Sequence, residues 1–117
     1  MGILLFILQI ILGVGFLLFG FMKFGAKQMN EEFERYGYSA WFRIVTGIVE
    51  IAGAVLVIAG FWNATAAAWG ALLISLTMIG ALITHIKVKD SFSKSVSPLV
   101  FLILGLVVLI FNWGSLF

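Results

Sequence analysis

The stretch WFRIVTGIVEIAGAVLVIAGFW, Trp41 to Trp62, decides how the rest of the chain is read. A bilayer core of about 30 Å is crossed by roughly 20 helical residues, and this stretch has that length and an apolar composition. Glu50 lies near its middle and is its one carboxylate. A charge at that depth costs at least ~2.5–3.5 kcal/mol even on the gentlest insertion scale, so something must pair with it, protonate it or use it. Arg43, Gly47, Glu50 and Ala54 fall near one helical face, with Thr46 and Gly53 beside them, while the other positions are mostly Ile, Val and Leu. This pattern predicts that the carboxylate points toward a neighbouring helix and not toward lipid.

The remaining composition fits a lipid environment. Of the 117 residues, 63% are hydrophobic and 10% charged, and the mean hydropathy is +1.22. A water-soluble domain of this size has too little interior to hide so much apolar surface, so one integral membrane domain spanning 1–117 is expected. The chain has no cysteine, which excludes disulfides, thiolate metal sites and CxxC redox chemistry carried out by this chain alone. The opening MGILLFILQ has no basic leader region, no small-residue cleavage site follows it, and it lacks the Ser or Thr of a myristoylation signal. Neither a removable signal peptide nor an acylated terminus is expected.

Three further spans follow from the same reasoning, giving limits of about 2–23, 42–61, 64–86 and 98–113 and an all-α antiparallel four-helix membrane bundle. Span one has Gln9 as its only strongly polar side chain and ends at Lys23. GFWN, residues 60–63, permits only a tight hairpin. Span three opens on the small residues ATAAAWGA, and its Ser75, Thr77 and Thr84 can bond back to their own helix, so they need no functional role. Pro98 is expected to begin span four, because its missing N–H is no loss in a first turn. Between spans one and two, NEEFERYG predicts a one-to-two-turn helix lying on the membrane surface. Asn30 would cap it, Gly37 would stop it, and Met29, Phe33 and Tyr36 would form an apolar stripe.

Lys23, Lys27, Arg35, Arg43, Lys87, Lys89 and Lys94 all fall on the side of the two polar connections. The hairpin and both termini carry no Lys or Arg, so the positive-inside rule predicts both termini outside and the polar loops in the cytoplasm. With its basic residues at span ends, the net charge of +2 does not point to nucleic acid. The lipid bilayer is the one partner that composition demands.

Lys23, Arg43, Glu50 and His85 are expected to converge at the cytoplasmic end of the bundle, with Gln9 in the outer half. Glu50 then reads as a buried neutral acid, a proton-relay group, or the ion-pair partner of Lys23 or Arg43, the last setting helix register. A single histidine and a single carboxylate do not make a metal site. There is no phosphate-cradling glycine loop, no HExxH and no GxSxG, and no group is assigned a catalytic role.

The FGxxKF segment with Lys23, EFERYGY before span two, GIVEIAGA with Glu50 and GALITH with His85 occur in an order that resembles the DoxX-like family of small four-helix membrane proteins. The match runs from Gly13 to Leu109. The resemblance implies a bacterial cytoplasmic-membrane protein. It also implies links to quinone-dependent oxidoreduction, including thiosulfate oxidation, and to complexes with sulfur or oxidative-stress enzymes. A thiol mechanism does not carry over to a cysteine-free chain. Binding of a quinone or a phenolic ligand does, with Lys23, Glu50 and His85 at the polar end of the pocket and Arg43 beside them. The implied partners are a membrane or soluble oxidoreductase, and a homo-oligomer is compatible with this reading.

Two other functions compete. Small multidrug-resistance transporters also have four helices and one membrane glutamate. Theirs lies in the first helix, however, and the one-sided basic bias here disfavours an antiparallel dual-topology dimer. The remaining reading is a structural subunit that stabilises another membrane protein, with Glu50 locking the bundle.

Overall fold

Four of the helices are long and apolar enough to cross a membrane, and their packing follows where small residues let backbones meet. The computed structural model describes residues 2–116. In order these form α1 (Gly2–Met22), α2 (Lys27–Tyr36), α3 (Ala40–Ala59), α4 (Ala64–Lys87), α5 (Phe92–Phe111) and a 3₁₀ turn, Trp113–Leu116. Around the bundle, α1 packs on α3, α3 on α4 and α4 on α5, with a much thinner seam between α1 and α5. The protein is a multi-pass membrane protein with an all-α bundle, as the hydropathy predicts.

α1 buries Gln9, Leu12, Gly13, Phe16 and Gly20, a single face at helical spacing. That face meets α3 running the opposite way. A Cβ on Gly20 would stand 2.9 Å from the Gly47 carbonyl oxygen, and one on Gly47 would stand 2.9 Å from the Gly20 carbonyl. These two residues are glycine because no side chain fits between the backbones. A second crossing joins α3 to α4, where a Cβ on Gly70 would stand 2.7 Å from the Gly53 carbonyl. In lipid no hydrophobic force drives helices together, so such close packing and interhelical polar contacts carry the association. Gln9 supplies one of them, donating from Nε2 to the Val57 carbonyl at 3.2 Å.

Phe6 stacks on Phe61 of the α3–α4 hairpin with ring centroids 4.5 Å apart, and Thr65 Oγ1 donates to the Ser115 carbonyl. The hairpin therefore shares one end of the bundle with residues near both termini. The seven basic residues gather at the other end.

Several local expectations are corrected. α5 starts at Phe92, and Pro98 lies inside it. The polar lead FSKSVS is itself helical, and the proline removes only the donor that would have met the Lys94 carbonyl. α2 is ten residues long and is capped by Ala26, not by Asn30, whose Oδ1 is buried without a hydrogen bond. Gly37 does end it, at φ 84°. Thr77 and Thr84 bond back to the carbonyls of Leu73 and Gly80, but Ser75 Oγ has no partner.

Candidate functional site

Lys23 and Glu50 meet because α1 and α3 are antiparallel. Every Cα–Cβ bond in a helix tilts toward that helix's N-terminus. Lys23, at the end of α1, therefore leans into the bundle, and Glu50 leans back toward the polar end. The two lie three residues past Gly20 and three past Gly47 respectively, on helices pressed together at that glycine pair. Lys23 Nζ stands 2.6 Å from Glu50 Oε1, with side chains 12% and 2% exposed. The contact has the distance of an ion pair without the angles of a hydrogen bond, so no donor is aligned on Oε1.

Arg43 does not compete for the carboxylate. Its Nη1 donates to the Lys23 carbonyl. A cation there satisfies one of the orphan acceptors at a helix C-terminus and suits the negative end of the helix dipole.

The ion pair lies at the inner end of a cavity of about 780 Å³. The walls are mostly apolar: Phe19 of α1, Val45 and Val49 of α3, Met78 and Ala81 of α4, and Phe101 of α5. Phe16, Phe19 and Phe101 meet edge-on, with centroids 5.3 to 5.9 Å apart, and plug the thin α1–α5 seam. α2 roofs the polar end. Its Met29, Phe33 and Tyr36 line the cavity, so the apolar stripe faces inward and not onto the membrane surface.

His85 lines the same cavity near this roof. Its Nδ1 is 2.6 Å from Asp90 Oδ2, a pairing the sequence analysis did not find. α4 ends in a left-handed turn with Lys89 at φ 59°. Asp90 N–H donates to the His85 carbonyl and Lys89 N–H to the Ile86 carbonyl. This is the Schellman arrangement, which brings Asp90 back under His85.

Arg35 of α2 donates to both Asp90 oxygens, at 2.7 and 3.1 Å, and to Glu32 Oε2 at 2.7 Å. Tyr36 donates its hydroxyl to that same Glu32 oxygen at 2.9 Å. The Arg35 guanidinium, followed by the His85 hydrogen bond, holds the Asp90 carboxyl down at about 2. Arg35 also lowers Glu32. Burial, and then the bond to Glu32, pushes the Tyr36 phenol up to about 12. With Asp90 ionised at neutral pH, His85 Nδ1 is the donor of their hydrogen bond.

Of the four residues expected to converge, Lys23, Glu50 and His85 share one cavity. Arg43 stands outside it and lines a smaller recess with Asn30 and Glu34. Sequence reasoning passed over Arg35, Glu32 and Asp90. The first two lie in the EFERYGY segment, but Asp90 sits 55 positions from Arg35 and nothing local links them.

Comparison with known proteins agrees with the motif order. The sequence profile described as "DoxX-like family" matches residues 7–108. The chain is also 35% identical over 80 residues to the uncharacterized protein YdgD of Bacillus subtilis (strain 168), covering 68% of this chain and 70% of that one. No solved structure matches it.

Proposed function

The chain belongs to the DoxX-like family, and from that premise we propose that it binds a small quinone-like molecule as an accessory subunit of a membrane oxidoreductase system. The observation that carries the reading is the cavity of about 780 Å³, apolar along its walls, with one buried ion pair at its inner end. Ligand pockets are typically about 300–1,000 Å³ with a few placed polar groups. A quinone fits such a space: its ring suits the Phe and Val walls, and its oxygens need donors. Lys23 supplies an ammonium at the inner end; nearer the roof the Tyr38 hydroxyl, whose proton goes to Thr84, and the second ring nitrogen of His85 are acceptors, suited to the hydroxyls of the reduced quinol. A bound quinone would contribute reversible two-electron chemistry, while these side chains hold and orient it. The family and the bacterial relative support a bacterial cytoplasmic membrane. The basic end, facing the cytoplasm, leaves both termini outside.

The exporter reading is weaker, because proton coupling needs a carboxylate free to exchange its proton and Glu50 is held against an ammonium. A structural subunit remains the rival, since the Lys23–Glu50 pair bridges α1 and α3 whatever else it does. Native mass spectrometry of the detergent-purified protein, with extraction of bound lipids, separates the two. A co-purifying quinone that is lost in Glu50→Gln supports ligand binding. A protein that purifies without one, and whose partner complex tolerates Glu50→Gln, supports the structural role.

A further inference from the structure

The cavity wall does not stop at the inward faces of α3 and α4. On α4 it continues from Ala81 through Thr77 and Thr84 to Gly80, Leu76 and Ile83. Leu76 and Ile83 are 57% and 59% exposed on the outer face. On α3 it runs from Glu50 through Thr46 out to Val49 and Val45. The two helices touch at Gly53 and Gly70, and at the polar end Tyr38, just before α3, shares a hydrogen bond of 2.8 Å with Thr84 of α4. Between these two contacts they part and leave a window.

Gly80 sits in the window, with empty space where a Cβ would stand. Val45 and Val49 lie roughly 8–14 Å along α3 from its first residue, at the depth of hydrocarbon. Ile48 of α3 and Ile79 of α4, outside the cavity lining, are 53% and 42% exposed.

We propose that the cavity is loaded sideways from the bilayer through this α3–α4 window. The ligand is an amphiphile whose polar head reaches Lys23 and Glu50 while its hydrocarbon chain stays in the lipid. This rests on the ligand-binding reading above and adds the route and the chain. The water-facing end suits loading less well. α2 covers it with an apolar stripe and is fastened down by the Arg35–Asp90 pair. The gap left there is edged by the polar Gln28, Lys94 and Ser97.

The absence of cysteine allows a single-thiol test of the route. Ala81→Cys places one thiol on the cavity wall of the full chain, reconstituted in phosphatidylcholine vesicles. Its labelling is followed with a dodecyl maleimide dissolved in the bilayer and with a sulfonated maleimide confined to water. The dodecyl reagent should react faster. Gly80→Trp should slow it by roughly tenfold, a barrier of about 1.4 kcal/mol, and Ile48→Trp, on the lipid face outside the window, should not. Leu76→Trp repeats the block from the window's outer rim should Gly80→Trp fold poorly. Equal rates with and without the blocking tryptophans, or faster labelling by the sulfonated reagent, would overturn the window. Added ubiquinone that fails to protect the thiol while the tryptophans still block would overturn the ligand reading and leave the route standing.

Discussion

Glu50 and Lys23 form a pair that neither could leave cheaply. Removing one partner of a buried ion pair strands the other charge and costs about 3–5 kcal/mol, whereas replacing both with apolar residues of similar volume is often neutral or stabilising. Glu50→Ala should therefore lower stability by about 3 kcal/mol in detergent unfolding. Lys23→Met combined with Glu50→Leu should recover most of that loss without recovering ligand binding. If the double variant binds as well as the native chain, the pair has only a structural role. Asp90 is a second case at this scale. Its carboxyl is depressed from an ordinary 3.8 to about 2, so its stabilising pairing is complete above the unfolded value and is lost as pH falls through the folded one. The tether to α2 should thus hold at pH 5 and loosen between about 4 and about 2. A carbon-13 titration of the Asp90 carboxyl reads this directly, and a midpoint near 4 would contradict the network.

At the scale of elements, the α1–α3 crossing positions the site. The backbones at Gly20 and Gly47 leave no room for a methyl group, and overpacking of this kind costs about 1–3 kcal/mol. Gly20→Ala should push α1 outward, lower the melting temperature and weaken ligand binding together. Gly25→Ala, in the open connection that follows, should do neither. α2 is a strap held largely by side chains: among the described residues it meets α3, α4 through Tyr36 on His85 and the α4–α5 turn through Arg35 on Asp90, and its buried residue is Phe33. Arg35→Met removes its anchor on Asp90. Amide hydrogen exchange over residues 30–36 should then quicken while exchange in the middle of α3 stays unchanged.

For the whole molecule, the charge asymmetry predicts an orientation with the basic end in the cytoplasm. All seven Lys and Arg residues lie at the end that carries α2 and the α4–α5 turn. Trp62 and Trp113 stand exposed at the opposite end and Trp41 at the basic one, where membrane interfaces favour indole rings. Single cysteines placed at Asn63 and at Lys89 should label from opposite sides of intact bacterial cells, Asn63→Cys from outside. The reverse pattern would overturn the positive-inside orientation.

Hydropathy, charge and helix spacing are local properties, and what depends on them is legible along the chain: four spans, their antiparallel order, the inward-facing carboxylate and the one-sided basic charge. So is the order of motifs that marks the family. That Glu50 pairs with Lys23 while Arg43 serves the end of α1 is an outcome of packing, since both cations are within reach until the Gly20–Gly47 contact sets the register. The His85–Asp90–Arg35 chain likewise depends on a left-handed turn at Lys89, a residue whose type does not announce that conformation. The inward face of α2, the helical lead before Pro98 and the cavity itself arise from where helices cross and part. Those crossings are set by backbone contacts between residues far apart in sequence, which no single stretch of the chain encodes.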